Sequence, residues 1–84
     1  MSRLLPLVFL LAAVAPATAE PRCETAIAQF RAIIDSDAQT GNLDASVYER
    51  IRPELRQVSA ECQAGREAQA ERDLVAVKHR HGYH

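Results

Sequence analysis

The chain is predicted to be all-α: an antiparallel helical hairpin clamped by a disulfide, plus a third C-terminal helix. Three observations predict this. Apolar residues recur at helical spacing in two stretches, at Cys23, Ile27, Phe30 and Ile34 and again at Val47, Ile51, Leu55, Val58 and Cys62. The two cysteines close these stripes at nearly equal distances from a turn containing Gly41. A further apolar set, Ala70, Leu74 and Val77, resumes out of phase after Gly65. Steps of three and four residues return a side chain to one helix face, because the helix turns once in about 3.6 residues.

The helices are preceded by a segment of different character. Met1-Ser2-Arg3 is short and basic, Leu4 to Val14 is uncharged and apolar, and Ala15 to Ala19 is a small-residue stretch ending in A-x-A. That order is the one a secretory signal peptide requires. The apolar run is eleven residues long, whereas crossing a bilayer takes about 20. Residues 1–19 are therefore expected to be a cleaved signal peptide, with the cut between Ala19 and Glu20. Cys23 follows Glu-Pro-Arg and no lipobox, so no membrane anchor is expected after cleavage. The expected compartment is periplasmic or secreted.

The expected mature chain has 65 residues and a charge of −2, since Arg3 leaves and nine basic residues then face 11 acidic ones. A chain of that size supports one small core and gains much from a covalent staple. Opposite charges are interspersed, so the sequence gives no nucleic-acid signature. The expected division is 1–19 signal peptide, 20–78 helical domain and 79–84 flexible histidine-containing tail.

The first helix is expected to open at Glu20-Pro21, where the fixed φ of proline suits the first helical position. Glu24 favours the positive helix end. Its polar face carries Glu24, Arg31 and Asp35, and Arg31 can pair with Asp35 across one turn. Gly41 within Gln39-Thr40-Gly41-Asn42 ends it, because a helix C-terminus often needs the left-handed conformation. The second helix starts within Asp44-Ala45-Ser46. Either Asp44 caps alone, or Ser46 and Glu49 form a capping box.

The second stripe runs past Pro53. Proline removes a helical hydrogen bond and disfavours helical angles at Arg52. The unbroken stripe predicts one kinked helix; the alternative is a short helix ending at Ile51 and a restart at Pro53. Cys23 lies 19 residues before Asn42 and Cys62 lies 20 after it. At about 1.5 Å per residue, both sit roughly 25–30 Å from the turn. Folded antiparallel, both reach the open end of the hairpin, and in an oxidising compartment two such cysteines pair with each other. Free thiols or an intermolecular bridge are the alternatives. After Gly65 a third helix is expected over about Arg66 to Lys78; one long helix through Gly65 is the competing reading, since an interior glycine costs only about 1 kcal/mol.

Cys23 in an alanine-rich helix, with Ala60-Glu61-Cys62-Gln63-Ala64-Gly65-Arg66-Glu67-Ala68, resembles small exported bacterial α-helical hairpin proteins with a cysteine in each of two helices. The resemblance spans most of residues 22–77. It implies a helical hairpin or three-helix fold and brings no assigned activity. The turn into the last helix is also similar to tetratricopeptide hairpins, but no repeat is present and one repeat cannot form a solenoid.

Few residues suggest chemistry. His79, His81 and His84 all lie in the last six residues. Neutral imidazole ligates copper, nickel or zinc, and Gly82 would let a tail wrap three rings around one ion. Against this stand the charges of Lys78 and Arg80 and the ordinary fraying of a polar C-terminus. Paired cysteines leave no thiolate nucleophile, Ser46 and Ser59 have no histidine near in sequence, and no cofactor motif is present. Phe30 and Tyr48 are expected in the core or at its edge. The expected function is a non-enzymatic exported interaction or binding protein of the bacterial cell envelope, meeting a protein partner or a second copy. The alternative is a periplasmic metal-binding protein using the histidine tail.

Overall fold

A computed structural model describes residues 22–84. The expected signal peptide, its cleavage point and Pro21 lie outside the described residues. The described residues form three helices, α1 (Arg22–Thr40), α2 (Ala45–Gln63) and α3 (Glu67–Arg80), each packed against the other two.

The predicted stripes are the core. Cys23, Ile27, Phe30 and Ile34 of α1, Ile51, Leu55, Val58 and Cys62 of α2, and Ala70, Leu74 and Val77 of α3 are all buried and form one cluster. Val47 and Tyr48 sit at its margin with Leu43, which closes the turn between α1 and α2. The stripe on α2 stays in phase through Pro53: Ile51, Leu55 and Val58 are all buried. Pro53 itself faces solvent. The helix therefore does not stop at Ile51. The hydrogen bond that proline cannot donate is lost on the wet side, where water can satisfy the freed carbonyl.

Asp44 occupies the N-cap position of α2 with extended backbone angles and no side-chain cap bond. Its carbonyl accepts the Val47 and Tyr48 amides at 3.0 Å each. Ser46 lies inside the first turn and donates to Asp44 Oδ2 at 3.3 Å. The start at Asp44 is the one the chain adopts, and the Ser46–Glu49 capping box is not formed.

Gly65 separates α2 from α3. Its φ is +85°, the left-handed region that a β-carbon disfavours by roughly 1–2 kcal/mol. Its amide donates to the Cys62 carbonyl at 3.1 Å and the Arg66 amide to the Glu61 carbonyl at 3.0 Å. This pair of bonds is the Schellman arrangement, which satisfies carbonyls that a helix end leaves open. Gly41 ends α1 in the same way, with Asn42 donating to the Asp37 carbonyl at 2.8 Å.

Cys23 and Cys62 form a disulfide with their Cα atoms 6.0 Å apart. It joins the first turn of α1 to the last turn of α2, at the end of the hairpin opposite Gly41. Beside it, the Arg22 amide donates to Glu67 Oε2 at 2.9 Å. The first side chain of α3 thus supplies an acceptor to the open N-terminus of α1.

The C-terminal segment differs from the expected flexible tail starting at His79. Helix α3 continues to Arg80, and Lys78, His79 and Arg80 in its last turn suit the negative helix end. A third glycine turn follows, with Gly82 at φ +85° and Tyr83 donating its amide to the Lys78 carbonyl at 2.7 Å. That turn folds Tyr83 back onto the core.

Candidate functional site

The structure divides the three histidines. His79 and His84 stack edge to face, with ring centroids 4.6 Å apart. His81 points elsewhere: its Nε2 is 2.9 Å from Glu54 Oε1 and its side chain is only 8% exposed. Arg80 Nε approaches the other oxygen of Glu54 at 3.6 Å. His81 thus docks the chain end on α2, while His79 and His84 remain outside. Among the described residues, no group of three or more His, Cys, Asp or Glu side chains is placed to hold a metal ion. Two imidazoles in contact could supply two ligands to a transition metal, with its remaining positions left to water.

Tyr83 completes the docking. Its ring meets Phe30 edge to face at a centroid distance of 5.1 Å, and its hydroxyl donates to Asp37 Oδ2 at 2.7 Å. Burial, reinforced by the Asp37 bond, pushes the Tyr83 phenol up to about 12. Lys78 Nζ lies 5.6 Å from the Phe30 ring centroid. Tyr83 falls on no helical stripe, so periodicity gave no sign of its contacts, whereas His81 continues the α3 stripe one step of four beyond Val77. The signal that could have found them was Gly82 followed by an aromatic, the same glycine stop seen at Gly41 and Gly65.

Glu61 is the one buried charged residue among those described, at 4% exposure. Gln57 Nε2 donates to its Oε2 at 3.5 Å, and its Oε1 has no hydrogen-bond partner. Its pKa is raised, first by the Asp73 carboxylate of α3, with which it can share a proton, and then by burial; Gln57 and Arg66 oppose the shift. Glu61 lies three residues beyond Val58, on the flank of the α2 stripe that α3 covers.

The groove between α1 and α2 is lined by Arg31, Arg52, Arg56, Tyr48 and Asp35 over a floor of Ile34 and Leu55, with a volume of about 250 Å³. The Tyr48 hydroxyl donates to Asp35 Oδ1 at 2.7 Å. That bond, with burial and the Asp35 charge behind it, raises the Tyr48 pKa. The expected Arg31–Asp35 pair is not formed; Asp35 is engaged by Tyr48 instead. Exposed apolar surface is limited: Ile33 and Val75 are the large hydrophobic residues left exposed among those described, at 49% and 54%. Isolated exposed side chains of this kind do not make a contiguous patch.

Comparison of the chain with protein families, with curated proteins and with solved structures finds no match.

Proposed function

We propose that the chain is an exported, non-enzymatic binding protein of the cell envelope, held in shape by its disulfide. The observation that carries this reading is the Cys23–Cys62 bond itself. Disulfides form and persist in oxidising compartments, and small exported domains rely on them where the core is limited. Residues 1–19 have the order of an export signal. The bond also removes both thiols from nucleophilic chemistry, which favours recognition over catalysis. What the three helices offer a partner is surface: open grooves between helices, lined by arginine and carboxylate side chains. Cross-linking in intact cells, followed by purification through an affinity tag on the exported protein, tests this. A single partner or a self-dimer recovered at stoichiometric yield supports it. Protein that stays in the cytoplasm with residues 1–19 attached overturns it.

A second reading is metal binding at the C-terminus, favoured by the contact between the His79 and His84 rings. It requires two imidazoles rather than three, because His81 is committed to Glu54. Calorimetry with copper, nickel and zinc tests it. Binding lost in His79→Ala and His84→Ala, but kept in His81→Ala, supports this version.

A further inference from the structure

We propose that the groove between α1 and α2 binds a small phosphate-class dianion through Arg31, Arg52 and Arg56. The site lies toward the Gly41 end of the hairpin, away from the disulfide, and it does not depend on export. Three arginines line one depression of about 250 Å³. Like charges gathered this way repel one another unless a counter-charge joins them. The chain supplies little counter-charge of its own. The carboxylate best placed to neutralise Arg31, Asp35, accepts the Tyr48 hydroxyl at 2.7 Å. Of these three arginines, only Arg52 has a carboxylate within ion-pair distance among the described residues, Glu49 at 3.4 Å. Both of those side chains are more than half exposed, so that pair holds Arg52 weakly and can yield to a ligand.

Charge and size select the ligand class. Three guanidinium charges against the Asp35 carboxylate leave a net of two positive charges on the groove lining. A phosphate or phosphate monoester carries about that charge with opposite sign near neutral pH. Guanidinium is the planar, always charged donor that matches phosphate oxygens two at a time. The volume lies below the roughly 300–1,000 Å³ typical of pockets for drug-sized ligands, which suits a head group or free ion rather than a large cofactor. The Arg52 guanidinium also lies 5.9 Å from the Tyr48 ring centroid, a contact that gives the fork a preferred orientation.

A free phosphate and the phosphate of a lipid head group share this chemistry. Titration of the full disulfide-bonded protein with inorganic phosphate, followed by calorimetry, tests the soluble source. Sedimentation with phosphatidic acid vesicles, whose head group is a phosphomonoester, against phosphatidylcholine vesicles, tests the lipid source. Saturable binding in either arm is expected, weakening about tenfold in Arg31→Ala and in Arg56→Ala. Arg72→Ala, on exposed α3 outside the groove, should bind as the parent does. Asp35→Asn keeps an acceptor for Tyr48 but removes the repelling charge, so it should bind more tightly. All four variants alter exposed or groove-edge side chains, and circular dichroism checks that they remain folded. No binding in either arm, or undiminished binding by the Arg31→Ala/Arg56→Ala double variant, would overturn the proposal. These outcomes are separate from those of the export test, which reads processing and partners rather than anions.

Discussion

Tyr83 ties the last turn of the chain to the first helix. Its hydroxyl bond to Asp37 and its ring contact with Phe30 make the C-terminus part of the fold. Tyr83→Phe should lower unfolding stability by about 1 kcal/mol through loss of one charge-assisted hydrogen bond. Tyr83→Ala should cost about 2–3 kcal/mol by exposing apolar area as well. Both losses can be measured by urea denaturation. The phenol also sets a pH dependence. Its folded pKa of about 12 stands above the ordinary 10.0, so the fold favours the protonated form. This contribution is complete below about pH 10 and is lost as pH rises toward 12. Ultraviolet titration should show its ionisation delayed until the protein unfolds. Glu61 has the same sign at lower pH. Its raised pKa means that the charged form is tolerated poorly, so its effect on stability improves as pH falls below neutrality toward 4.5. Glu61→Gln should therefore stabilise the protein at pH 7, with the gain shrinking in acid. A Glu61→Gln protein less stable than the parent at pH 7 would show that the buried charge is compensated.

At the scale of elements, the helix ends carry the sharpest test. Gly65 has φ +85° and open space around the position of a β-carbon. Gly65→Ala thus meets no steric clash and should cost about 1 kcal/mol from backbone conformation alone. Had α2 continued through Gly65, alanine would instead have stabilised the helix by about the same amount. The sign of this change, read by chemical denaturation, separates two helices from one. Pro53→Ala should act the other way. It restores a missing helical donor on an exposed face and should raise stability by as much as about 3 kcal/mol. These element boundaries were legible because glycine and the phase of the apolar residues act locally. The choice of Asp44 over Ser46 at the start of α2 was not, since both residues can cap and tertiary packing of Val47 and Tyr48 decides between them.

For the whole molecule, the hairpin register was legible in two stripes and two cysteines. Nearly equal spacing from Asn42 was enough to bring Cys23 and Cys62 together, because both helices rise by the same amount per residue. The third helix closes the core with Ala70, Leu74 and Val77. The sequence did not reveal contacts between side chains distant in sequence. Tyr83 with Asp37 spans 46 positions and His81 with Glu54 spans 27. Their pairing depends on how α3 lies across the hairpin, which no single-helix pattern encodes. The same holds for the arginine groove: Arg31 belongs to α1 and Arg52 and Arg56 to α2, and only packing assembles them. The disulfide secures this arrangement by closing a loop with a sequence separation of 39, worth about 4 kcal/mol in the chain-entropy view. Cys23→Ser and Cys62→Ser should each lose about that much, and the double variant no more than either alone. The central claim, an exported hairpin clamped by its own disulfide, is tested most directly by mass spectrometry of the protein recovered from outside the cytoplasm, mapped without reduction. The expected result is a monomer beginning at Glu20, with the Cys23 peptide linked to the Cys62 peptide. Free thiols, a disulfide-linked dimer, or a chain retaining Met1 to Ala19 would contradict it.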